Sequence, residues 1–211
     1  MKPIDRSKEI TQKKSSTVTE RAAPNPQGKG VVGFLRDWDY SAPRGVVAKP
    51  SPQVLADYFT SLLILSAKFK FEPAFGKDYY LYWDETDLWT LSLISPDEWK
   101  KPEKFAGFVG TCTLHEDSTW SISPSENLTN GGPVAEAVSQ FFDGFVERLE
   151  TDETLEAGLP IYEKNLPYYQ RLFAAALSRS IKGSLNLGNQ KNRPARSWLE
   201  QLPHDAKNLL Q

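Results

Sequence analysis

Cysteine, histidine and long apolar runs are scarce in this 211-residue sequence. The single cysteine, Cys112, rules out an intramolecular disulfide and fits a reducing compartment. His115 has only His204 with which to share a histidine-based metal site. No apolar stretch approaches the ~18 residues of a membrane span. One such stretch, LLIL at 62–65, is closed off by Ser61 and Ser66. The first 25 residues have no apolar core of the kind a secretory leader carries, so the expected compartment is the cytosol, with no membrane partner. QGKG at 27–30 lacks the spacing, the following Ser/Thr and the preceding strand of a phosphate loop.

Aromatic residues make up 12% of the chain and hydrophobic ones 39%, enough for a real core. The net charge of −2 hides an uneven distribution. Residues 1–49 carry 10 Lys/Arg against 5 Asp/Glu, and residues 171–211 carry 7 against 2. Residues 50–132 carry 6 against 12, and residues 133–170 carry 2 against 8. Basic ends around an acidic centre either fold back over it or grip a polyanion.

Residues 1–50 read as a flexible basic arm. Its first 30 residues are polar and without periodicity, so disorder is expected there. VVGFLRDWDY at 31–40 is a short apolar segment: Val31, Val32, Phe34, Leu35 and Trp38, with Arg36 and Asp37 on the polar side. SAPRGVVAKPSP at 41–52 reads as a linker. Ser51 is the expected cap, with Pro52 in first position, of an amphipathic helix over 52–69 marked by Leu55, Tyr58, Phe59, Leu62, Leu65, Ser66 and Phe69. Strands are expected at 79–83 and 88–94 around DETD, and at 105–114 and 119–122 around HEDS. SPDEW at 95–99 is a capped turn with Ser95 as cap and Glu98 closing the capping box. Apolar stripes predict helices at 133–150 and 166–183, the latter stopped by Gly183. A basic loop and a short terminal helix broken at Pro203 complete the chain. The fold class is α+β: an antiparallel meander of three to four strands packed on an amphipathic helix, then two or three C-terminal helices. The compact domain is assigned to 51–183, with 184–211 as the basic loop and short C-terminal helix.

YYLYWDETDLWTLSLISPDEW, residues 79–99, holds three tryptophans and three tyrosines. Strand periodicity sets Tyr79, Leu81 and Trp83 opposite Tyr80 and Tyr82. Most rings are assigned to the core, and Tyr80 and Tyr82, with Trp83, are left as a candidate binding surface.

Tyr79 to Tyr82, Ile94 to Pro96, Glu98, Trp99, Phe108 to Gly110, Asp117, Thr119 and Trp120 follow in one order. This run resembles an uncharacterised domain-of-unknown-function family shared with a small vertebrate protein known as an open reading frame of chromosome 1. The resemblance covers about residues 79–120. It implies a shared sheet and transfers no catalytic residue.

His115, Glu116 and Asp117 are read as polar turn residues, and Cys112 as a buried inert thiol. Asp84, Glu85, Asp87, Asp97 and Glu98 are read as solvated turn and capping groups. No catalytic, cofactor or metal residue is assigned, and no cofactor is expected. The expected function is that of a non-enzymatic cytosolic interaction protein that binds a protein partner through Val32, Phe34, Leu35, Arg36 and Trp38. The alternative is RNA or single-stranded DNA binding, with Tyr80, Tyr82 and Trp83 stacking on bases and the basic termini on phosphates. The acidic sheet region opposes that alternative. An enzyme with an unrecognised carboxylate site comes third.

Overall fold

A computed structural model describes residues 31–84, 86–99, 107–161 and 166–210. The fold is α+β. Its centre is helix α2 (Ser51–Ser66), in which every residue from Val54 to Leu65 is buried. A four-stranded sheet lies against it: β1 (Asp78–Trp83), β2 (Trp89–Ser92), β3 (Gly107–Leu114) and β4 (Trp120–Pro124). All neighbouring strands are antiparallel. Their order is β2-β1-β3-β4, so the two hairpins join through β1 and β3 instead of running as a sequential meander. The long β1–β3 ladder takes the centre, and the four-residue β2 is left at the edge.

Both edges of the sheet are occupied by other parts of the chain. Lys68 donates its N–H to the Trp89 carbonyl and accepts from the N–H of Leu91, at 2.8 and 3.1 Å. On the far side the Ile122 N–H donates to the Leu210 carbonyl at 3.2 Å. Such covering prevents strand addition at an open edge.

The short helix α3 (Glu126–Thr129) follows β4, then α4 (Pro133–Thr151) and α5 (Tyr168–Leu187). Pro133 takes the first helical turn of α4 as expected. The ring of Phe59 on α2 is surrounded by Phe141, Phe142 and Phe145 of α4, with centroids 5.4–5.8 Å away. Aromatic pairs at this spacing add to the area they bury.

Three expectations are corrected. Ser51 does not cap α2. The N-cap is Pro50, and the Ser51 hydroxyl instead donates to Gln190 Oε1 and accepts from an Arg193 amine nitrogen. Gly183 does not end α5, which runs to Leu187. A Cβ on Gly183 would lie 3.0 Å from Val46 Cγ1, so glycine is there to let residues 41–49 pass close by. The domain assigned to 51–183 extends past 183, since Leu185, Trp198, Leu209 and Leu210 belong to the same core. The residues beyond α5 form two 3₁₀ turns, Ala195–Gln201 and Ala206–Leu209, and bury Trp198 and Leu210 completely. The disordered stretch expected at 1–30 lies outside the described residues. Among the described residues, no helix is long and apolar enough to cross a membrane.

Candidate functional site

The apolar segment of the arm is helical: α1 spans Val31–Tyr40. An isolated helix of this length is marginal in water, where ~12–15 residues are needed, so its order depends on what it touches. Two neighbouring residues make its described contacts with α5. Asp37, 5% exposed, accepts a 2.9 Å hydrogen bond from the Tyr168 hydroxyl. The Arg179 guanidinium lies 4.7 Å from the centre of the Trp38 ring, a cation–π contact. Trp38 itself is partly buried against the core. At the end of the helix, the Tyr40 ring approaches Phe75 at 6.0 Å.

The five arm residues expected to bind a partner therefore divide. Trp38 is docked on its own domain, whereas Leu35 is 53% exposed and Arg36 is exposed. The side chains of Val32 and Phe34 lie outside the described residues. Asp37, assigned from sequence to the polar side, is corrected to a buried position. Its partner is 131 positions away, and no local pattern signals it. Burial first, and then the Asp37 carboxylate that accepts its proton, pushes the ionisation of Tyr168 upward. The pair is thus a neutral phenol donating to a carboxylate.

The linker expected at 41–52 is corrected: residues 41–49 form a strap fixed at Ser41, Arg44 and Lys49, and α2 begins at Ser51. The Arg44 N–H donates to the Glu116 carbonyl at 2.8 Å, and the Ser118 hydroxyl donates to the Ser41 carbonyl at 3.3 Å. Lys49 Nζ stands 2.5 Å from Asp57 Oδ2 on α2 and 2.5 Å from Asp117 Oδ2 in the β3–β4 turn. Gln53 donates to the other oxygen of Asp57. The backbone N–H and hydroxyl of Thr119 donate to the other oxygen of Asp117. Burial alone would lower the Lys49 ammonium's pKa, but the two carboxylates outweigh it and the net shift is upward. For Asp57 burial wins over Lys49, and its pKa rises. For Asp117 burial pulls upward, yet the bonds from Lys49 and Thr119 prevail and lower it.

The sheet surface differs from expectation. Tyr80 is half-buried, but Tyr82 is 3% and Trp83 8% exposed. Tyr82 packs with Phe108 at 5.4 Å and Trp99 at 6.0 Å, and its hydroxyl donates to the Ile94 carbonyl. Trp83 lies 6.5 Å from Trp89. The capped segment 93–99 returns over the outer face of β1 and covers what strand alternation alone would leave open. Its capping box is present: the Glu98 carboxylate accepts from the Ser95 N–H and hydroxyl.

Among the remaining candidates, Cys112 is fully buried and burial pushes its thiol pKa up. His115 shares a 2.8 Å hydrogen bond with Ser121. Asp84 accepts from the N–H and hydroxyl of Thr86 and from the N–H of Leu88; Glu85 lies outside the described residues. Among the described residues, no group of three or more His, Cys, Asp or Glu side chains is placed to hold a metal ion.

Comparison with protein families matches residues 48–143 to DUF2452, described as a protein of unknown function. The match takes in α2, the whole sheet and the first turns of α4, a wider stretch than the run of motifs at 79–120. Comparisons with curated proteins and with solved structures give no match. Lys49, Asp57 and Asp117 fall within the matched region, whereas α1, Tyr168 and Arg179 fall outside it.

Proposed function

We propose that this chain is a non-enzymatic, cytoplasmic interaction protein that presents its arm helix to a protein partner. The observation that carries this reading is the divided surface of α1. Asp37 and Trp38 shelter on α5, while Leu35 stays more than half exposed in the middle of an apolar decapeptide. A short helix with one face on its own domain and one in solvent can exchange between that domain and another surface, the manner in which amphipathic helices enter partner grooves. The fixed strap behind it keeps the helix tethered when it leaves. The kinship implied with the small vertebrate open-reading-frame protein belongs to this proposal and concerns the sheet domain. The cytoplasmic assignment rests on the buried free thiol of Cys112. The nucleic-acid alternative keeps only Tyr80 as a half-exposed ring of its three.

The test is a pulldown from the native cell with the full chain and with the Phe34→Ala/Trp38→Ala double variant. The expected result is a partner captured by the first and lost from the second, with the same thermal unfolding for both. A double variant that unfolds makes the segment an ordinary part of the core and removes the reading.

A further inference from the structure

We infer that the seat of α1 on α5 is itself a recognition groove for a helix of acidic–aromatic chemistry, and that α1 is its built-in competitor. This rests on the reading that α1 can leave its seat, but concerns the surface left behind rather than the helix presented. The chain's own arm defines the ligand. An acidic residue meets the Tyr168 hydroxyl at 2.9 Å, and the adjacent indole lies under the Arg179 guanidinium at 4.7 Å.

A second observation shows that α1 fills this seat incompletely. Arg179 Nε and one of its terminal nitrogens are buried with no hydrogen-bond acceptor among the described residues. A half-buried guanidinium with two nitrogens shielded from water and short of acceptors carries a desolvation cost that a better-placed carboxylate would relieve. Within α1, Asp39 is near enough to act on Arg179 through space, yet it makes no hydrogen bond to it. The occupant is therefore a partner helix with an Asp-aromatic pair and a further acidic group directed at Arg179. Binding of that helix frees α1, so the two surfaces are coupled: filling the seat raises the fraction of chains offering the arm.

The probe is a fluorescein-labelled synthetic peptide of residues 31–44 of this sequence, titrated by fluorescence anisotropy. Its hosts are the wild-type chain and the full-length Asp37→Ala/Trp38→Ala variant, whose own arm can no longer hold the seat. The expected result is saturable binding to the arm-disabled variant and at least about tenfold weaker binding to the wild type, because the competent fraction of the wild type is small. Adding Arg179→Gln to the arm-disabled variant should weaken binding about tenfold or more. If Arg179→Gln does not fold, Tyr168→Phe removes only the hydroxyl that meets Asp37 and should weaken binding in the same direction. Absence of saturable binding to the arm-disabled variant overturns the inference, as does binding unchanged by the α5 substitution. A wild-type dimer that dissociates on Arg179→Gln would assign the seat to the arm of a second copy and overturn the proposed foreign partner. Peptide binding and partner capture are separate readouts, so failure of one does not imply failure of the other.

Discussion

Helix α1 and the strap at 41–49 are consecutive in sequence, and both belong to what composition describes as a flexible arm. They are held in different ways. The strap is gripped at Ser41, Arg44 and Lys49 and passes a glycine that leaves it room at Val46. The helix is held at Asp37 and Trp38, with Leu35 turned to solvent. In the proposed function the helix is the element that leaves and the strap its fixed point, and the change from one to the other falls within a few residues of Ser41. Charge placement makes the difference. A lysine shared by two partly buried carboxylates is costly to separate, because each carboxylate would then remain desolvated and unpaired. A tryptophan under an arginine at a partly open site is lost at little cost.

The strongest way to break this contrast is Lys49→Met. It leaves Asp57 and Asp117 facing each other without their cation and should destabilise the domain by about 2–4 kcal/mol, less than a fully buried pair because Lys49 keeps some exposure. Urea denaturation measures it. Restoring much of that loss by adding Asp57→Asn would sharpen the assignment to charge rather than packing.

Gly183→Val comes next. The added side chain meets Val46 and should cost about 1–3 kcal/mol, with the strap displaced rather than α5 broken. A smaller effect is pH dependence. Asp117 has a folded pKa below its ordinary 3.8, so the stability it contributes is present above that value and lost as pH falls through the lowered one. Asp57 has a raised pKa, and its contribution has the opposite sign: present below 3.8 and lost as pH rises through the raised value. Asp117→Asn should therefore flatten the loss of stability below about pH 4 seen in thermal melts across pH. The smallest expected effect is Trp38→Ala, within about 1 kcal/mol of wild type in urea. A larger loss would place α1 with the strap and end the contrast.

The sequence made local chemistry legible and left the long-range pairings hidden. Two acidic turns show why. In Asp84-Glu85-Thr86 and in Asp117-Ser118-Thr119, the aspartate accepts from the N–H and hydroxyl of the threonine two residues on. Composition reads both as solvated turns. The second also receives Lys49 from 68 positions away, and no spacing rule reports that. The capping box at Ser95, the period of the strands and the start of α4 at Pro133 were readable because each is decided within a few residues. Burial of Tyr82 was not readable, because the cover comes from a segment that must first fold back. For the same reason Asp37 passed as a surface residue. Its hydroxyl partner opens α5, on the far side of the sheet in sequence order. Leu35, Arg36 and Trp38 could be singled out from the sequence, whereas their seat, Tyr168 and Arg179, could not.

Native-state hydrogen exchange on the full wild-type chain tests the contrast most directly, since it reads local opening segment by segment. The amide N–H groups of Asp39 and Tyr40 in α1 should exchange at least about tenfold faster, relative to their unstructured rates, than that of Arg44 in the strap and those of Gln53 and Val54 where the strap enters α2. Lys49→Met should bring the second group toward the first without changing α1. Equal protection of both groups in the wild type would show that α1 and the strap open together, and would contradict a releasable helix on a fixed tether.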